Sequence, residues 1–135
     1  MSIQPRTLTD FRGSWQLERE ISHADGTLAA FRGQALWQPD VQGLRYDETG
    51  HLTIQGRAPV TACQRYVWQP DLTVWFADGR FFHQVPAVGG ATTHWCDPDR
   101  YEGVYDFDAW PAFRVIWQVD GPRKSYRMIS TYRRA

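Results

Sequence analysis

The chain is poor in cysteine: only Cys63 and Cys96 occur in 135 residues. Two thiols cannot build a disulfide framework, so reduced side chains and a cytoplasmic location are expected. Charge of one sign is also missing, because fifteen Lys and Arg balance fifteen Asp and Glu. Without a basic stripe, no nucleic-acid partner is expected. No apolar run approaches the roughly 18 residues of a membrane-spanning helix, and the opening Met1–Phe11 has no apolar stretch of the signal-peptide kind. No membrane partner is therefore expected. There is no Gly-rich phosphate loop, no G-x-S-x-G and no H-E-x-x-H. Helical periodicity is absent from Ser14 onward.

What fills the chain is aromatic side chains in alternation. They make up 15% of the residues, seven of them Trp, more than a modest core requires. Thr9-Asp10 can cap one helical turn, which Gly13 would end. Then Trp15, Leu17, Arg19 and Ile21 share one face of a strand, Asp25-Gly26 turns the chain, and Phe31, Gly33, Ala35 and Trp37 share the next. The small Gly33 and Ala35 imply tight curvature or close approach by another element. Leu44, Tyr46 and Glu48 follow, Glu48-Thr49-Gly50 reads as a turn, and Leu52-Ile54 as the start of a further strand. Asp78-Gly79 between aromatic runs is a hairpin signal. Tyr101, Gly103 and Tyr105 alternate, as do Phe113, Val115, Trp117 and Val119, and Asp120-Gly121-Pro122 leads into the last strand.

About ten or eleven short strands result, joined by short connections that make sequence neighbours antiparallel neighbours. A sheet of that size curls, and closing it removes both edges. The expected architecture is all-β: one domain over residues 1–135, an antiparallel up-and-down barrel with a short N-terminal helical turn.

The two ends of the chain carry a resemblance. Gly13-Ser14-Trp15 opens the first strand and Tyr132-Arg133-Arg134 closes the last, which is similar to the calycin signature: a G-x-W with a terminal-strand arginine over the indole. That resemblance implies barrel closure by Trp15 with Arg133 or Arg134, the guanidinium stacking on the ring. The segments F-R-G-Q-A-L-W (31–37), L-R-Y-D-E-T-G-H-L (44–52), F-A-D-G-R-F-F-H (76–83) and H-W-C-D-P-D-R-Y (94–101) resemble an uncharacterised bacterial, calycin-like (lipocalin-like barrel) family of unknown function. At Ser125 the chain departs from that family's usual acidic residue. The resemblance implies the barrel and supplies no activity.

A two-residue loop at Asp78-Gly79 places Val74 opposite His83 and Phe76 opposite Phe81, and a turn near Val88-Gly89 places His83 opposite His94. The face Arg65, Val67, Val74, Phe76, Phe81, His83, His94 and Cys96 is expected to point inward. The other face, with Trp68, Trp75, Phe82 and Trp95, would then form an outward aromatic stripe of the kind that supports a homodimer. The interior would hold polar groups among apolar ones: Arg19, Tyr46, Arg65, His83, His94, Tyr101, Tyr105, Lys124, Tyr126 and Tyr132, beside Trp117. Such a lining suits a small-molecule ligand.

Since Glu48 is the only acidic residue expected on that face, the inward cations point to a ligand with an anionic group, or else they sit at the mouths, paired with Asp97, Asp99 or Glu102. No cofactor is predicted; zinc on His83, His94 and Cys96, or haem on a histidine, are the readings that would change this. Three functions follow: a binder of a partly apolar, anionic ligand; an isomerase- or lyase-type enzyme using His83 or His94 as general acid/base, with Cys96 as a further candidate; or a filled barrel acting as a protein-interaction module. The expectation leans away from an enzyme.

Overall fold

Ten strands alternate with short turns: β1 (Gly13–His23), β2 (Leu28–Asp40), β3 (Gly43–Ile54), β4 (Val60–Trp68), β5 (Thr73–Phe76), β6 (Phe81–Gln84), β7 (Gly90–Cys96), β8 (Asp99–Asp106), β9 (Phe113–Asp120) and β10 (Ser125–Arg134). A computed structural model describes residues 4–135; residues 1–3 of the expected domain lie outside the described residues. The strands form one antiparallel sheet in the order β6-β5-β4-β3-β2-β1-β10-β9-β8-β7. The first and last strands pair from Trp15↔Arg134 to His23↔Tyr126. The sheet curls until its end strands, β6 and β7, lie against each other without a ladder. The nearly closed up-and-down barrel expected from the alternation is what forms.

One expected turn does not exist. β3 runs unbroken through Glu48-Thr49-Gly50 and pairs with β2 from Ala29↔Ile54 to Asp40↔Gly43. Gly50 stands there because Gly33 faces it. A Cβ on Gly33 would lie 2.0 Å from the Thr49 carbonyl oxygen, and one on Gly50 would lie 2.2 Å from that of Arg32. The glycines permit backbones to approach in mid-strand rather than reverse direction. Gly33→Ala is accordingly expected to lower stability by about 1–3 kcal/mol, the usual range for overpacking; the shift in urea midpoint measures it.

The barrel has a packed end. Helix α1 (Leu8–Phe11) is capped at Thr7, where the Thr7 N–H donates to Asp10 Oδ2 at 2.8 Å; Thr9-Asp10 thus lies inside the turn rather than at its cap. Phe11 and Trp15 are fully buried. Phe11 packs on Trp68 at 5.0 Å and Trp110 at 5.4 Å, and Trp15 packs edge-on against Phe113 at 5.2 Å. Aromatic pairs in these tilted and edge-to-face arrangements gain beyond the area they bury. Arg134 closes the ring: its guanidinium lies 3.9 Å from the centre of the Trp15 ring and donates to the carbonyls of Arg12 (2.7 Å) and Asp10 (2.5 Å). Arg133, one residue out of phase, is exposed.

At the Asp78-Gly79 hairpin the sequence expectation and the structure part by one residue. Phe76 N–H donates to Arg80 O at 2.8 Å, so Ala77, Asp78 and Gly79 form a three-residue loop with Gly79 at φ 93°. Trp75 then faces Phe81, while Val74 still faces His83. Phe82 is left over as a β-bulge. The bulge absorbs the extra residue and turns Phe82 inward beside His83, while Phe81 goes to solvent.

Candidate functional site

The other end of the barrel encloses a cavity of about 540 Å3. That is the size of a small-molecule pocket, and it sets aside a barrel filled by its own side chains. β4 pairs with β5 only over Tyr66–Trp68, because β5 and β6 are four residues each. The wall is therefore short on that side, and the cavity opens past Gln64, Arg80 and Cys96, all exposed.

A polar cluster stands on one wall. Arg19 on β1 donates to both carboxylate oxygens of Glu48 on β3, at 2.8 and 3.0 Å, and through Nε to Ser130 Oγ at 2.7 Å. The Tyr46 hydroxyl donates to Glu48 and sits 2.8 Å from that of Tyr132. Glu48 is 5% exposed and Tyr46 3%. Burial works against the Arg19 charge, but the hydrogen-bonded Glu48 outweighs it and holds the guanidinium more firmly protonated than usual. Burial, with neighbouring negative groups, pushes the hydroxyls of Tyr46 and Tyr132 upward, so both remain protonated donors. The cluster is neutral in sum.

Across the cavity, His83 is 2% exposed and its Nε2 lies 2.7 Å from the Tyr105 hydroxyl. Burial first, and His94 second, lower its pKa to about 3, so the ring is neutral at physiological pH. No other partner of the Tyr105 hydroxyl is found among the described residues. The arrangement that satisfies it has Tyr105 donating to Nε2, which places the ring proton on Nδ1. His83 Nδ1 is buried without a partner, as is Trp37 Nε1. Two ring nitrogens of residues that line one cavity are thus buried and unpaired, where buried polar groups are nearly always bonded.

The sequence candidates divide by position. Arg19, Tyr46, His83, His94, Tyr101, Tyr105, Trp117 and Tyr126 line the cavity. Arg65 does not: it points outward and binds Asp47 at 2.7 Å, because Tyr66 and Trp68 take the inward phase of β4. Lys124 stays at the rim, 3.1 Å from Asp99, the position in which a cation keeps its head in water. Val67 faces Trp75 across the outer side of the β4–β5 ladder, away from the cavity lining. With Glu48 on Arg19, the inward excess of positive charge disappears.

Cys96 lies exposed at the mouth, and no three His, Cys, Asp or Glu side chains gather as a metal site among the described residues; His83, His94 and Cys96 do not converge. The Nε2 that a haem iron would take on His83 is already bonded to Tyr105. The outward stripe is not formed either, since Trp68 is 5% exposed and Phe82 faces inward. Tyr132 and Ser130, which the alternation of β10 puts in phase with Tyr126, line the cavity as well, and so does Tyr66, which lies on the face of β4 expected to point outward.

The protein is thus one of the class of nearly closed ten-stranded antiparallel β-barrels, plugged at one end and hollow at the other. Within that class the chain belongs to DUF6314, a family of unknown function whose model matches residues 11–134. Among solved structures it is similar to the S-type phycobiliprotein lyase CPES from Guillardia theta, with a TM-score of 0.63 at 9% identity over 95% of this chain and 90% of that one. It also matches a redesigned β-barrel, mFAP0, bound to DFHBI (TM-score 0.43, 19% identity, 93% and 99% covered) and a de novo designed fluorescence-activating β-barrel (TM-score 0.44, 16% identity, 95% and 96% covered). No curated protein sequence matches the chain. These likenesses concern the fold.

Proposed function

We propose that this barrel binds a small molecule with a planar, apolar body and a carbonyl or carboxylate oxygen. The observation that carries this reading is the cavity of about 540 Å3, lined in nearly half by Phe, Trp and Tyr, with the ring nitrogens His83 Nδ1 and Trp37 Nε1 of its lining residues buried and unpaired. An acceptor oxygen on the ligand would satisfy a buried donor that otherwise costs about 1–3 kcal/mol. An anionic oxygen would be held by these N–H dipoles rather than by a free cation, since Arg19 already has Glu48. General acid catalysis by His83 has less support, because a pKa of about 3 leaves no proton to give near pH 7 beyond the ring N–H.

Native mass spectrometry of the protein as purified, with an absorbance scan, tests for a retained ligand. Titration with 2-naphthoate and with naphthalene tests the chemistry. Binding is expected for both, with 2-naphthoate favoured roughly tenfold or more, and His83→Phe is expected to erase most of that preference. Failure of any planar aromatic compound to bind would overturn the reading.

A further inference from the structure

Phe82 sits in the cavity as a ligand would. Its ring is stacked on Phe76 at 4.7 Å and 18° and on Trp117 at 5.3 Å and 19°. Phe76 comes from β5 on one side of β6, and Trp117 from β9 on the other. The edges are covered by His83 at 4.2 Å and His94 at 5.1 Å, both near perpendicular, and by Tyr66 at 5.6 Å. Parallel rings on the faces and perpendicular rings at the edges are how an aromatic ring is best held.

The strand that delivers this ring is weakly held. β6 has four residues, pairs only with β5, and lies at the seam where no ladder joins it to β7. Phe82 itself is the bulge residue, with no cross-strand partner in the β5 register. Its position inside depends on the rings around it and on the His94 side chain, which bonds the Phe82 backbone across the seam, rather than on ladder pairing. Segments with few ladder bonds open at lower free energy than strands paired on both sides.

We propose that Phe82 occupies the slot that a planar conjugated ligand takes between Phe76 and Trp117, and that ligand entry requires β6 to withdraw the Phe82 ring through the β6–β7 seam. The inference rests on the binding reading above and adds to it the ring slot and a gate. His83 follows Phe82 on the same short strand, so the movement that frees the slot also shifts a donor that the ligand uses. Its sequence neighbour Phe81, exposed and 5.1 Å from Trp75, marks the outer side to which the strand can rotate.

Stopped-flow fluorescence with N-phenyl-1-naphthylamine tests the gate on the full chain. In the wild type the observed rate should level off at high probe concentration, because opening limits it. Phe82→Ala should remove the plateau and tighten equilibrium binding tenfold or more. Phe82→Leu, which keeps apolar bulk and guards against misfolding, should lie between. Leu52→Ala enlarges the same cavity away from the stack and should keep the plateau.

A wild type that binds with rates linear in probe, or a Phe82→Ala that keeps the plateau or binds no tighter, overturns the gate and leaves the binding reading intact. Absence of binding by wild type and both Phe82 variants overturns the slot. If 2-naphthoate also fails to bind, the binding reading falls with it. Binding by Phe82→Ala alone overturns the gate, because the ring then never withdraws, and supports the slot.

Discussion

Replacing Glu48 with alanine should bring the protein close to unfolding, with a loss of about 3–5 kcal/mol against a typical total of 5–15 kcal/mol. The reason lies in what is left behind. Arg19 would keep its charge on the wall of an aromatic cavity, with only Ser130 as a neutral acceptor. Tyr46 would lose the carboxylate to which it donates, so two further buried hydroxyls would compete for each other. The pair itself is not expected to stabilise the fold by anything like this amount, because desolvating two charges consumes most of their attraction. Arg19→Met with Glu48→Leu should therefore recover most of the loss, and the double variant is the discriminating member of the series. Urea midpoints at pH 7.5 for the two single variants and the double decide it. A double variant as unstable as Glu48→Ala would mean that the cluster holds the fold through its hydrogen bonds rather than through charge balance.

The barrel was legible in the chain because alternation and turn chemistry are local. Trp15 to Ile21 and Phe113 to Val119 each name a face without reference to anything distant, and short connections then force neighbours to pair. Arg134 over Trp15 was also readable up to a one-residue phase. The site was legible only where register did not intervene. Arg19, Tyr46 and Tyr105 sit on long strands paired over most of their length. Around Asp78-Gly79 the loop takes Ala77 as well, the register slips by one, and the bulge at Phe82 restores it by His83. Phe81 and Phe82 thereby exchanged faces while Val74 and His83 kept theirs. On β4 both phases are aromatic or long, so hydropathy could not choose between Arg65 and Tyr66. The choice is made by Asp47, which offers Arg65 a partner on the outer side, and Asp47 is eighteen residues away in sequence.

Acid should destabilise the native state through His83 in particular. In the unfolded chain this side chain takes a proton near its ordinary value of 6.5, whereas in the folded protein burial and the nearby His94 delay protonation to about 3. Between those values the unfolded state binds the extra proton, so stability is fully present above about pH 6.5 and falls as pH drops toward 3. At pH 4.5 the loss from this one group should reach about 2–3 kcal/mol, taking 1.36 kcal/mol per unit. The groups packed on the ring do not offset it. Tyr105 is held protonated by burial and carries no charge, Trp117 and Phe82 cannot titrate, and His94, itself lowered by partial burial, adds repulsion once charged. His83→Phe has no proton to take, so its stability should fall less between pH 7.5 and 4.5, while contributions from the shared carboxylates cancel between the two proteins. Denaturant unfolding of both proteins at the two pH values provides the four numbers needed. Parallel losses in the two proteins would show that His83 reaches solvent and protonates freely in the native state, and the sealed, donor-lined wall opposite the Arg19 cluster would have to be abandoned with it.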